Sequence, residues 1–537
     1  MELIDQKTKT IMEGCKNRAL AAGLDLPLDT LEYIVTNRDL IKLSPKVMIP
    51  TLYDYWVNDV EILKESGRYK LYPSNPYETV INTRPPISFY NDNNPDWLNI
   101  MIFYHVLAHI DFFRTNTLFA NTWNDDFVGK ALADKRLIES FRSKYGRWVD
   151  YVIEFARSID NICAYFKELP KINLFPEQEP GKKLEYLINI FLPEVKKLNN
   201  IEILKYIDKY NYYCELNKET AENLFFADII NIFPEFDSYF EKYETIPDKN
   251  SDLLEFLNEY SPFLNRKENQ WMKSILTIIR DTALYFAPQM RTKIMNEGWA
   301  SYWHNELFLT DDRISTHETQ YAKINAGVTS ISRIGLNPYA IGLRLFEYIK
   351  DKADRGAFSL EYDRISDIDN RLNYNKNTGQ GLNFIFKIKS HFSDFNFINT
   401  FVDQEFVDRY NLFVVGKRLD EDRNVIQYYI KSRKAEDYKQ MLIDSMYHPP
   451  LIRVNIEKTT EDNLYLEHEF EGKQLYKPYI GDTLMGIEFL WGSQVSLETT
   501  EIRVEKTKEE KVGEQKKFIY DRALYVMKDK KLSKTKL

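Results

Sequence analysis

A chain of 537 residues is too long for one hydrophobic core and leaves room for about two to four domains. Its 44% hydrophobic residues and 14% aromatics exclude extensive disorder, and a net charge of -9 argues against a general nucleic-acid binder. Cys15, Cys163 and Cys214 are too few and too scattered for a disulfide framework or a thiolate metal site.

The opening residues Met1-Glu2-Leu3-Ile4-Asp5 carry no basic stretch ahead of an apolar core. No window of about eighteen residues is unbroken and apolar. A cytoplasmic protein without a membrane span is therefore expected.

Residues 1–70 read as helical, with Leu and Ile recurring between charged positions. Tyr72-Pro73-Ser74-Asn75-Pro76-Tyr77 predicts a turn, and Thr79 to Asn82 a short extended piece. Asp92-Asn93-Asn94-Pro95-Asp96 supplies a polar cap and a proline at the start of a helix. That helix runs on through an apolar stretch to Phe113. Asp126 to Leu169 continues as helix, with a break near Tyr145-Gly146. Residues 170–250 read as a variable surface insertion, broken by Pro176, Pro180-Gly181 and Pro193. Helices resume from Asp252 to Glu306 and from Pro338 to Asp354.

After about residue 375 the pattern changes. Phe384–Lys389, Leu412–Arg418, Val425–Ile430, Leu451–Ile456, Leu464–Phe470 and Gln494–Thr499 alternate as strands do. Two amphipathic helices, Ala435–Met446 and Gly481–Leu490, lie between them, which suggests two similar β-β-α units. The expected fold class is α+β: a large, mainly helical domain over 1–370, an α+β domain of mixed strands and two helices over 375–505, and a charged, solvated tail over 506–537.

The chemistry concentrates in two places. His105 and His109 are four residues apart in an apolar run, which puts both imidazoles on one helical face. Such a pair reads either as two hydrogen-bonded core histidines or as two nitrogens for one metal. Val106 and Ala108 exclude both the HExxH motif and its inverted form.

The second place is Asn296-Glu297-Gly298-Trp299-Ala300-Ser301-Tyr302-Trp303-His304, where Glu297, Ser301 and His304 share a helical face. Glu297 is read either as a carboxylate paired with Arg291 or Lys293 or as part of a site. Gly298 is disfavoured in a helix by roughly 1 kcal/mol and hints at close packing against another element or a ligand.

If the two helices meet, His105, His109, Glu297 and His304 form a donor set suited to Zn, or with open positions to Fe or Mn. Glu297 would be a ligand or general base, and His304 a third nitrogen or proton shuttle. Asp111, Glu78 and Asn296 are candidate outer partners; for Asp111 and Glu78, taken singly, a plain helix or strand-end partner is the more ordinary role.

Four stretches resemble the SpoVR family, named for stage V sporulation protein R. They are His105-Val106-Leu107-Ala108-His109-Ile110-Asp111-Phe112-Phe113; Pro288 to Ala300 followed by His304; Asn337-Pro338-Tyr339-Ala340-Ile341-Gly342 with Ile349-Lys350; and Leu490-Trp491-Gly492 with Val495 and Leu497. Ala108 departs from the Gly usual in the family, and Tyr55 stands where a His is expected before Trp56. The helices after residue 125 also lack histidines that many members carry.

The resemblance implies a link to spore cortex formation or to stress and starvation responses. It also implies genetic company with a PrkA-type serine kinase and a von Willebrand A-type protein, and brings no settled activity. Two readings of function stand: a metal-dependent hydrolase, or a non-catalytic scaffold or regulatory partner of the kinase.

Overall fold

Helix Asp96–Thr115 is apolar on every side, and such a helix must be enclosed on every side. In the computed structural model it is the centre of one of two compact units. That unit comprises Met1–Leu132, Lys171–Asp237 and Pro288–Tyr447; the other comprises Ala133–Pro170, Ser238–Ala287 and His448–Leu537. The structure describes residues 2–4, 6–36, 78–122, 127–163, 181–198, 200–216, 220–244, 252–312, 316–331, 335–420, 425–504 and 518–537. Tyr55, the expected turn at 72–77 and the breaks at Pro176 and Pro180 lie outside these residues.

The first unit opens with strands β1 (Glu2–Leu3), β2 (Leu31–Val35), β3 (Glu78–Ile81) and β4 (Ile87–Asn91), ordered β1-β2-β4-β3. Only the β2–β4 pair is parallel. The helical reading of 1–70 therefore holds for α1 (Gln6–Ala21) but not for Leu31-Glu32-Tyr33-Ile34-Val35. Their aromatic and β-branched side chains suit a strand that has a partner.

The enclosed helix, α2 (Asp96–Thr115), packs against α1, β3 and two later helices, α3 (Lys293–Phe308) and one spanning Gly381–His391. Pro95 itself takes the cap position of α2, with no side-chain cap bond. The polar run before it, expected as the cap, does not serve that role.

Helices α4 (Glu318–Val328) and α5 (Pro338–Arg355) follow. Asn337 caps α5 by accepting from the Tyr339 and Ala340 amides, with Pro338 in the first turn. Next come α6 (Gly381–His391) and α7 (Asp394–Phe401).

Helix α6 corrects the strand expected at Phe384–Lys389. Phe-Ile-Phe-Lys-Ile-Lys alternates in sequence, yet the buried residues are Gly381, Ile385, Ile388 and Lys389, the three-and-four spacing of a helix. The unit ends with the hairpin β5 (Val414–Asp420) and β6 (Val425–Ser432), then α8 (Ala435–Ser445).

The expected surface insertion proves to have a core of its own. Helices Asn200–Leu216, Ala221–Ile232 and Phe236–Glu244 accompany a buried cluster of Phe191, Phe225, Phe226 and Phe236. Pro193 does not break its helix: Leu187–Val195 is wound as a π-helix, whose wider turn accommodates the missing amide hydrogen.

Helix Phe127–Tyr145, which belongs to the second unit from Ala133 onward, gives way to Trp148–Arg157 across Gly146, whose φ of +61° favours glycine. Strands β7 (Leu451–Val454), β8 (Asn463–Glu469), β9 (Gln494–Val504), β10 (Phe518–Lys528) and β11 (Lys531–Lys536) form one sheet in the order β11-β10-β9-β8-β7. Helix Lys477–Trp491 packs on β9 and β10.

Two sequence expectations change here. The α+β region over 375–505 is divided between the two units at Tyr447/His448, because among the described residues β5 and β6 pair only with each other and α8 packs on α7. Residues 518–536 are not a solvated tail. Ala523, Tyr525 and Met527 alternate onto the buried face of β10, and Leu524 and Val526 between them are half-buried.

Candidate metal centre

Helix α3 packs against both α2 and α5, and two glycines set its contact with α5. A β-carbon on Gly298 would fall 2.3 Å from the carbonyl carbon of Gly342, so α3 and α5 meet backbone to backbone. The close packing hinted at by a glycine in mid-helix is thus against α5. Glu297, the residue before Gly298, faces the histidines of α2.

The carboxylate oxygen Oε2 of Glu297 lies 3.7 Å from His105 Nε2 and 3.7 Å from His109 Nε2. One donor atom from each of these three residues falls within 4.8 Å of the others. The imidazoles stand nearly perpendicular, at 86°, with centroids 4.6 Å apart. Atoms bound at about 2.1 Å to one tetrahedral ion lie roughly 3.4 Å apart, so the 3.7 Å spacings fit a shared ion with little movement. Glu297 Oε2 is enclosed and has no hydrogen bond, a costly state for a carboxylate oxygen unless a cation shares the space.

The electrostatics agree with the geometry. Burial, with His105 beside it, pushes the His109 imidazole down to about 4 against the pull of Glu297 and Asn296. Burial, reinforced by His105, pushes His304 down to about 3. Burial alone would raise the Glu297 carboxyl, but His105, His109 and Tyr339 outweigh it and hold it below the ordinary value. At neutral pH the site presents lone pairs and a negative charge, which suits a cation.

The other expected residues fall in different places. Asn296 Oδ1 is 2.9 Å from His109 Nδ1 and orients that ring. His304 is not beside the carboxylate. Its Nδ1 lies 2.9 Å from His105 Nδ1 and its Nε2 lies 3.0 Å from Asn325 Oδ1, so both ring nitrogens are engaged away from a shared ion. This differs from its expected place as a third nitrogen.

Of its two readings, outer partner of the site or ordinary structural partner, Asp111 takes the second. Two residues beyond His109, it emerges about 200° further round α2. Its carboxylate takes the Lys389 ammonium at 2.9 Å, the Trp299 indole N–H at 2.8 Å and the Asp25 amide at 2.8 Å. The side chain of Glu78 lies outside the described residues.

Four contributors carried no chemical signal of their own in the sequence. Lys389 was hidden in an apparent strand, and Asn325 stands outside any motif. Tyr339, whose ring stacks 6.0 Å from His105, belongs to the Asn-Pro-Tyr segment and was legible only as a helix start. Asp394 accepts from the Ile294 and Met295 amides at 2.8 and 2.9 Å, capping α3 from another helix.

A family profile described as "SpoVR like protein" matches residues 4–449. "Uncharacterized protein YcgB" of Escherichia coli (strain K12) is 24% identical over 503 residues, covering 88% of this chain and 88% of its own length. No solved structure matches. Among the described residues, no helix is long and apolar enough to cross a membrane.

Proposed function

The chain belongs to the SpoVR family, and we propose that its helical unit holds a divalent transition metal on His105, His109 and Glu297 for metal-assisted hydrolysis. The supporting observation is the enclosed Glu297 oxygen with two imidazole nitrogens each 3.7 Å away. Zn fits two nitrogens and a carboxylate with an open position, and Fe or Mn fits the same set. A bound ion supplies Lewis acidity and lowers the pKa of water to roughly 7.

This chain's residues do the rest. Asn296 orients His109, and Tyr339 stacks on His105. The side chains of His105 and His109 are 5% and 8% exposed, whereas Glu297 keeps 18%, so Glu297 marks the side from which a substrate enters. As a ligand with one exposed edge, Glu297 also serves as the candidate general base.

The test is turnover. Full-length protein loaded with Zn, Mn or Fe is offered phosphoester, carboxylic ester and peptide probes. Hydrolysis of one class, lost in His105→Ala and Glu297→Gln, is expected. Equal turnover by the variants contradicts the reading.

A second reading, a scaffold for a PrkA-type serine kinase and a von Willebrand A-type protein, draws on hairpin β5–β6. Leu419, Ile426, Tyr428, Tyr429 and Ile430 are all exposed there, an apolar surface of the kind proteins use for partners. Kinase co-purification that survives His105→Ala but fails after Ile426→Lys with Tyr428→Lys favours it. A role in sporulation or starvation rests on kinship under either reading.

A further inference from the structure

We propose that Asn325, acting through His304, sets the tautomer of His105 and so aims its Nε2 lone pair at Glu297. The proposal deepens the metal reading, but its primary readout does not require a metal.

The chain of contacts begins in α4. Tyr321 stacks on Phe308 of α3 at 4.4 Å between centroids and donates its hydroxyl to Asn305 Oδ1 at 2.7 Å. These two contacts fix α4 against the last turns of α3. One turn after Tyr321, the Asn325 side chain reaches His304, with Oδ1 3.0 Å from Nε2.

An amide oxygen only accepts, so the proton of neutral His304 sits on Nε2 and its Nδ1 carries a lone pair. His105 Nδ1, 2.9 Å from that lone pair, must then be the donor. A neutral imidazole has one proton, so His105 Nε2 is left as an acceptor facing Glu297.

The same logic operates independently on the other ring. Asn296 Oδ1 lies 2.9 Å from His109 Nδ1, which places that proton on Nδ1 and a lone pair on Nε2. Two asparagines on two different helices thus impose one outcome: both Nε2 atoms turn lone pairs towards a single carboxylate. His105 reaches its asparagine through an intervening ring, His109 directly. That is the role left to His304, a positioning residue behind a ligand.

The opposite polarity is chemically distinct. If Asn325 turned its NH₂ to His304, the protons would shift along the relay, and His105 would carry N–H at Nε2. At 3.7 Å from Glu297 Oε2 that N–H is too distant for a hydrogen bond, and it would block the metal position.

The test is ¹⁵N–¹H correlation spectroscopy of histidine-labelled, chelator-treated full-length protein. With 7 histidines, signals are assigned by single His→Gln variants. The expected spectrum shows His105 and His109 protonated on Nδ1 and His304 on Nε2. Asn325→Asp, which keeps an acceptor oxygen, retains this pattern. Asn325→Leu shifts His105 towards the Nε2–H form and weakens Zn²⁺ binding about 10- to 100-fold, the usual effect of removing an outer partner.

A wild-type spectrum with His105 protonated on Nε2 overturns the proposal, even if Asn325→Leu fails to fold. So does a folded Asn325→Leu protein with unchanged tautomers. If the expected tautomers are found and Zn²⁺ does not bind, the metal reading fails and the relay stands.

Discussion

Gly298 and Gly342 touch backbone to backbone where α3 crosses α5: a β-carbon on Gly342 would lie 2.1 Å from the Ile294 carbonyl oxygen. Alanine at either position gains up to roughly 1 kcal/mol of helix propensity but cannot be seated without parting the helices. Gly298→Ala is expected to destabilise by about 3 kcal/mol, the upper range for overpacking. Gly327 of α4 is the control. Nothing lies within 4 Å of its β-position, so Gly327→Ala should stabilise by about 0.5–1 kcal/mol. Urea unfolding followed by tryptophan fluorescence distinguishes the two.

Asp111 and Lys389 form an ion pair with side chains 1% and 2% exposed. Burial lowers the Lys389 ammonium from its ordinary value against the pull of Asp111. Removing one partner strands the other without solvent. Asp111→Ala is therefore expected to cost about 3–5 kcal/mol. Asp111→Leu combined with Lys389→Met should cost clearly less than the sum of the single changes, because neither charge is left unpaired. A double-mutant cycle by urea denaturation checks this; additive losses would contradict the pairing.

Acid should destabilise the fold from an unusually high pH. His109, His391 and His468 titrate near 4 and His304 near 3, each lowered mainly by burial from 6.5. The unfolded chain takes up these protons at about 6.5 and the folded chain does not, so their stabilisation is full above 6.5. It is lost as pH falls towards 3–4. Asp394 works the other way. Burial raises it to about 7 despite the Ile294 and Met295 amides, so its contribution is lost as pH rises from 3.8 to 7. Urea midpoints should drop between pH 7 and 5, and more steeply in Asp394→Asn. A flat profile would contradict the buried, neutral state of the histidines.

Much of the site could be read from the chain because a helix converts spacing into direction. Four residues set His105 beside His109, and the same period sets Glu297 on the face of α3 that meets them. The same rule, applied to Asp111, points it away towards Lys389. Lys389 stayed hidden because alternation at Phe384–Lys389 mimics a strand, and only tertiary packing shows which residues are inside. Asn325 stayed hidden for a different reason: its role depends on a second helix held by Tyr321 and Phe308, a contact with no sequence periodicity. The interleaved units and the β10–β11 hairpin likewise depend on pairings between distant segments.

Metal stoichiometry tests the central claim most directly. Full-length protein is stripped with chelator, incubated with Zn²⁺, dialysed and analysed by mass spectrometry for bound metal. About one ion per chain is expected for wild type and for Asn296→Asp. Content near zero is expected for His105→Ala, His109→Ala and Glu297→Gln variants that remain folded. Wild-type protein that retains no Zn²⁺, Fe²⁺ or Mn²⁺ under the same treatment, or variants that retain as much as wild type, would contradict the metal centre.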